Sequence, residues 1–312
     1  MPAHVTDEVP EQRILEQSMR LPRGGVVTGW AACRLCGANF FDGLDVDGRT
    51  RFPVPLSIGE FGQLTQSAHA CVRRDRLDPD EITLRAGIPC LKELPALFDA
   101  ARLASDVREA VVAIDMMAAA QLVSIQQLDE YADRRPGWRG IRQLRAALSL
   151  ASEDSRSPNE TRMRLIWQLD AGLASPLVNQ PVFDLRGKLL GIADLLDPVA
   201  GVVGEYDGAD HRSGRRQSKD VAREDGFRGV RLEYFKVTGP DMSNRPLVAN
   251  RMTTTRRRAA WLPVGERAWT IEPPPGWEVG MALHERLELR AWQISLYRKY
   301  EQEDHPRLPN VS

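Results

Sequence analysis

Two short runs carry the side chains best suited to chemistry. In Gly191-Ile-Ala-Asp194-Leu-Leu-Asp197-Pro198 a single acid, Asp194, stands in an otherwise apolar stretch. In Val202-Val-Gly-Glu205-Tyr-Asp207-Gly208-Ala-Asp-His211 two acids sit two residues apart with a histidine just beyond. An ionised carboxylate in an apolar strand is costly unless a cation, a set of hydrogen bonds or an open cleft receives it. Glu205 and Asp207 fall on one face of a strand. If Asp194 shares that face, three carboxylates converge as oxygen donors for Mg²⁺ or Mn²⁺, with room for water and a phosphate. His211 is of the one side-chain type that titrates near neutrality, and it can move a proton or bind phosphate. Residues 211–231 then hold seven Lys/Arg against three acids, a local excess of four positive charges that a phosphate-bearing partner can use. Read singly, each feature is structural: Asp207-Gly208 and Asp197-Pro198 are turn dipeptides, Asp194 can bond a backbone amide, and the basic run can be a solvated helix face.

The elements that must position these residues are legible in outline. Ser157-Pro-Asn-Glu160 has an N-cap, Pro at the first helical position and Glu at the third, so a helix starts near Pro158. Three strands follow, over 178–185, 189–196 and 200–206, as a meander; a helix near 215–226, a β-rich run over 230–238 and a helix from about 241 to 258 complete the order. Upstream, Leu94 to Leu128 and Ile141 to Ala151 have helical spacing, separated by Arg134-Arg-Pro-Gly137, and apolar triplets at 52–58 and 81–84 suggest short strands. The polar stretch from Ser152 to Asn159 marks the boundary between a domain at 1–155 and one at 156–260. Residues 261–312 read as a Pro/Trp-rich connector and a C-terminal helix that packs on its own domain.

Composition bounds the function. The chain has 312 residues, 42 Lys+Arg against 43 Asp+Glu and 42% hydrophobic residues, which fits folded domains rather than disorder. Residues 1–155 hold 18 basic and 22 acidic side chains and the remainder 24 and 21, so the positive excess is C-terminal. Neither a signal peptide nor a long uncharged apolar stretch occurs, so a cytoplasmic protein without a membrane partner is expected. Cys33 and Cys36 form a C-x-x-C, but Cys71 and Cys90 lack the matching spacing, which favours reduced thiols over zinc. The P-loop, H-E-x-x-H, G-x-S-x-G and dinucleotide fingerprints are absent. A glycosidase would leave the basic run unexplained.

The run Glu205-x-Asp207-Gly208-x-x-His211, preceded by Asp194 and followed by Asp220-x-x-Arg223, resembles domains similar to very-short-patch-repair endonucleases of the PD-(D/E)XK superfamily. Ser157-Pro-Asn-Glu160-Thr-Arg-x-Arg164 is similar to the leading helix of those domains. Residues 24–150 resemble the AbiEi-type antitoxin half to which actinobacterial members are often joined, so the likeness spans roughly residues 24–258. It implies an α+β N-terminal domain followed by an α/β, restriction-endonuclease-like domain of order α-β-β-β-α-β. It further implies phosphodiester hydrolysis on DNA, with Asp194 and Glu205 as ligands to Mg²⁺ or Mn²⁺, Asp207 as a third acid at the metal, Glu160 orienting metal-bound water and His211 assisting. Arg164, Arg215, Arg216, Lys219 and Arg223 would track the DNA backbone. The superfamily pattern has Lys where this chain has Asp207, a position at which members of the resembled group commonly carry Asp; Lys188 or Lys219 is the expected replacement cation. The competing reading is a catalytically inactive nuclease fold acting as a DNA-binding regulator or antitoxin, with a protein partner held through the N-terminal domain.

Overall fold

The computed structural model of the chain describes residues 9–208, 223–277 and 280–304. It is a mixed α/β protein with two mixed five-stranded sheets. The first half opens with α1 (Pro10–Ser18), β1 (Val26–Val27) and α2 (Gly29–Leu35), followed by β2 (Val54–Ser57), β3 (Ala70–Arg73), β4 (Ile82–Arg85) and β5 (Ile88–Leu91). The sheet order is β3-β2-β1-β5-β4, parallel between β2 and β3 and between β1 and β5. The two apolar triplets became β2 and β4; β1, β3 and β5 were not expected, and β1, of two residues, is too short for an alternation to reveal.

Four helices follow: α3 (Glu93–Arg102), α4 (Val107–Ala119), α5 (Ile125–Asp133) and α6 (Ile141–Leu148). What reads as continuous helical spacing is interrupted twice, each time by a local cap. Asp106 accepts from the Glu109 N–H to start α4, and Ser124 and Gln127 form a reciprocal capping box at α5.

The helix expected near Pro158 is present. Ser157 caps α7 (Pro158–Leu165), accepting from the Glu160 N–H, and the helix widens into a π turn over Ile166–Asp170. The meander is β6 (Leu177–Asp184), β7 (Leu189–Asp197) and β8 (Val202–Asp207). Helical residues 223–229 (α8) precede β9 (Glu233–Thr238), which pairs parallel to β8, as a crossover connection permits and a hairpin does not. The helix expected from 215 thus lies partly outside the described residues. A 3₁₀ turn at Pro240–Ser243 leads into α9 (Arg245–Arg258).

Two expectations for the tail are corrected. The connector contributes β10 (Trp269–Thr270), which extends the second sheet to the order β10-β6-β7-β8-β9. In α10 (Leu283–Asp304) Leu283 is buried, but Leu289, Trp292 and Ile294 are exposed, so over residues 283–295 the helix is anchored at its start rather than packed throughout. No helix among the described residues is long and apolar enough to cross a membrane.

One core joins the first sheet to α2–α6, while the second sheet has a core on each face. Helix α7 serves two of them: Leu165 belongs to the first core, and Met163 packs with Trp167, Phe235, Val248 and Met252. The junction is fastened by a buried ion pair. Arg164 Nη2 lies 2.7 Å from Asp115 Oδ2, with Asp115 at 0% and Arg164 at 2% exposure. Thr161 Oγ1 and the Ser152 N–H donate to the same carboxylate. The sequence-based role of Arg164 in DNA binding is therefore corrected: its guanidinium is taken up inside the protein. Leaving one partner of such a pair unmatched costs about 3–5 kcal/mol. Arg164→Ala is accordingly expected to lower urea-denaturation stability by that order, whereas Arg145→Ala, at the exposed Arg145–Asp133 pair, should change it by less than about 1 kcal/mol.

Candidate active site

Asp194 occupies an irregularity in the second sheet. Two residues apart on a regular strand share a face, yet Ala193 belongs to one core and Leu195 to the other. The neighbouring strand does the same, since Leu177 and Val182 pack on one side and Val178 on the other. Between the paired positions Val178↔Leu195 and Gln180↔Ala193 stand Asn179 and Asp194, and Asn179 has the left-handed φ of 48° that an Asn tolerates better than most residues. Both strands therefore change face at this point.

The pairing of β7 with β8 runs from Asp197↔Val202 to Leu195↔Gly204 and ends one step short of Asp194 and Glu205. There the Asp194 carboxylate takes over from the ladder, Oδ2 accepting from the Tyr206 N–H at 2.8 Å. The structural role open to Asp194 is thus realised by one of its oxygens. Burial pushes its carboxyl up to about 7, with the Glu160 and Glu205 carboxylates adding to the rise and the Tyr206 N–H and Arg223 opposing it.

Glu205, 3% exposed, accepts at Oε2 from Arg223 Nη2 at 2.8 Å and from the Tyr234 hydroxyl at 2.9 Å. Burial and the Glu205 carboxylate push the Tyr234 phenol well above its ordinary value, which keeps it a donor. Two glycines permit this approach. A Cβ on Gly204 would lie 2.2 Å from the Phe235 ring, and one on Gly191 would lie under 3 Å from Phe227 and from the Arg223 stem. The bare backbone at Gly191 is what allows α8 to lie close enough to bring Arg223 to Glu205.

Glu160, in the first turn of α7, is near enough to raise the Asp194 carboxyl but is itself bound on both oxygens. Oε2 accepts from the Arg156 N–H and from Asn179 Nδ2, each at 2.9 Å, and Oε1 from the Ser157 hydroxyl at 3.1 Å. The residue with the irregular backbone thus ties the helix to the sheet beside Asp194.

The expected set of three metal-binding carboxylates is not assembled. Asp207 instead pairs with Lys236 of β9, whose Nζ lies 3.4 Å away, and among the described residues no group of three or more His, Cys, Asp or Glu is placed to hold a metal ion. The carboxylates brought near one another are Asp194, Glu205 and Glu160. Mg²⁺ commonly takes only one or two protein carboxylates and completes its shell with water and phosphate, so the Asp194–Glu205 pair fits that requirement and a closed protein cage does not. His211, Arg215, Arg216 and Lys219 lie outside the described residues. Arg223 sits at the site, on Glu205.

Sequence reasoning missed Lys236, Tyr234 and Asn179. Lys236 is the Cα partner of Glu205 across the parallel β8–β9 pairing, which puts it beside the acids; of the two lysines expected there, Lys219 lies outside the described residues. Its signal was the lone lysine in the alternating run Glu233-Tyr-Phe-Lys-Val-Thr238. Compared with models of protein families, with curated proteins and with solved structures, the chain matches none.

Because the folded Asp194 titrates near 7 and an unfolded Asp near 4, the metal-free protein takes up a proton on folding between those values. This contribution is fully present below about pH 4 and is lost as pH rises towards 7, at about 1.4 kcal/mol per unit at most. Denaturation of wild type and Asp194→Asn from pH 4 to 8 should show the fall in wild type and a flatter profile in the variant; parallel profiles would disprove the assignment.

Proposed function

We propose that the second half of this chain is a metal-dependent DNA endonuclease domain of the PD-(D/E)XK kind, hydrolysing phosphodiester bonds at Asp194 and Glu205. The observation that carries the reading is the juxtaposition of half-buried Asp194 and buried Glu205 at the end of the β7–β8 ladder, with a third carboxylate, Glu160, close enough to raise the Asp194 carboxyl. Crowded carboxylates in a partly desolvated site are the arrangement a divalent cation relieves.

Asp194 and Glu205 would hold Mg²⁺ or Mn²⁺, which when bound supplies positive charge to the phosphoryl oxygens and makes water a better nucleophile. The chain's own groups prepare that chemistry. Tyr234 and Arg223 orient Glu205, while Asn179 and Ser157 hold Glu160 on the Asp194 side. Lys236 brings a cation to the register of Glu205, the service a lysine at position 207 would otherwise perform, with Asp207 steering its amine. DNA is the substrate and partner this reading requires, its backbone followed by the cations of residues 211–223.

One observation favours a second reading, a nuclease fold that binds DNA as a regulator without cutting it: Arg223 already gives Glu205 a cationic neighbour, as a metal would. Supercoiled plasmid separates the two. With Mg²⁺ or Mn²⁺ at low salt the wild type is expected to nick plasmid, and Asp194→Ala and Glu205→Ala to lose that activity. Lys236→Ala should slow nicking about 100-fold while leaving the gel shift of uncut DNA unchanged. A gel shift without nicking by wild type in either metal would establish the regulator instead.

A further inference from the structure

A cavity of about 480 Å³ lies in the first half of the chain, between the segment 40–55 and helices α3 and α4, with the first turn of α7 at one end. That size suits a small-molecule ligand. Its inner wall includes the buried side chains of Phe41, Val112 and Met116, with Trp30 beside them. Phe40, Val46 and Phe52, which also line it, are exposed, so its mouth presents large apolar side chains to water.

The lining is negatively charged, with four acids, Asp42, Asp45, Asp99 and Glu109, against two arginines, Arg73 and Arg162. Two of the acids are answered within the fold. Asp99 is engaged by Thr28 and Arg102, and Glu109 by two nitrogens of Arg162 at 2.8–2.9 Å. Arg102 lies outside the lining and also meets Asp75, so it leaves the excess of acid as it stands. Asp42 and Asp45 are different. Among the described residues neither forms an ion pair, and each uses only Oδ1, which accepts from the Leu44 N–H and the Val46 N–H respectively. Both are exposed, at the same mouth as Phe40 and Phe52. Arg13 donates to the Asp42 and Gly43 carbonyls and lies 5.3 Å from the Trp30 ring centroid, but it does not line the cavity. Aromatic faces carry partial negative charge, so rings set beside carboxylates without a cation attract an organic cation and repel an anion.

We infer that this cavity binds a small organic cation, an ammonium carried on a flat apolar body of one or two rings. The ammonium sits at the mouth with Asp42, Asp45, Phe40 and Phe52, and the rings lie further in, among Phe41, Val112 and Met116. The inference is independent of the nuclease reading, since it uses neither the second sheet nor a metal.

The test uses the full chain and calorimetric titration at neutral pH with three ligands that share an indole body and differ in charge: tryptamine, the neutral alcohol tryptophol and the anion indole-3-acetate. Tryptamine is expected to bind saturably with one site per chain, the alcohol about tenfold more weakly, and the anion more weakly still. Asp42→Asn combined with Asp45→Asn keeps an oxygen for each loop N–H, so the loop is not at stake; it should weaken tryptamine about tenfold and leave tryptophol unchanged. Phe40→Ala, at an exposed position, should weaken both. Absence of saturable tryptamine binding up to roughly 1 mM would overturn the inference. So would equal binding of tryptamine and either of the other ligands, undiminished tryptamine binding by the double Asn variant, or undiminished binding of both ligands by Phe40→Ala.

Discussion

Two carboxylates, one buried and one half-buried, at one end of a β-sheet set the terms for the structure around them. A sheet interior offers Asp194 and Glu205 little water, so each charge must be met by a donor or suppressed by protonation. The protein uses both solutions. Glu205 Oε2 is met by a guanidinium and a phenol, while Asp194 has one backbone donor and like-charged neighbours, and its carboxyl rises to about 7. The surrounding irregularities follow: β7 and β8 stop pairing one step before the acids, Asn179 takes a left-handed backbone, and Gly191 and Gly204 let helix α8 and the Phe235 ring come close. Asp194 is thereby raised into the neutral range, where a carboxyl can exchange a proton.

Helix α7 carries this arrangement into the rest of the molecule. Its first turn supplies Glu160 to the acid cluster, Asn159 donates to the Tyr206 hydroxyl, and Arg164 in its last turn meets Asp115 of α4. Its apolar residues divide between two cores. A short helix with so little amphipathic character of its own is held by these polar and ionic partners as much as by packing. The π turn that follows it places Trp167 against Phe235, with ring centroids 6.0 Å apart, and so seats the helix on the sheet.

Much of the chain's local structure was legible. The Ser157 cap, the Pro at the first helical position and the turns that end the strands are chemical signals acting over three or four residues, and they located α7 and the meander β6–β8. The same local logic failed where partners are distant. Arg164 reads as a surface cation because Asp115, which buries it, lies 49 residues away in sequence. Lys236 was passed over because the pairing that sets it beside Glu205 joins two parallel strands through a crossover with α8 in it. The strand β1 is only two residues long, and the exposure of Leu289, Trp292 and Ile294 depends on what α10 meets.

By itself, the sequence determined α7, the meander β6–β8 and the presence of costly acids in apolar surroundings, since capping, turn chemistry and hydrophobic alternation are short-range effects; it did not determine β10. Only the tertiary structure decided which acids meet. Asp207, two residues from Glu205 and expected to join it, turned to Lys236, and Glu160 from another element came close to Asp194 instead. Strand register, the change of face at Asn179 and Asp194, and the seat of α7 are fixed by packing among segments far apart in the chain, and residue types alone carry no record of that geometry.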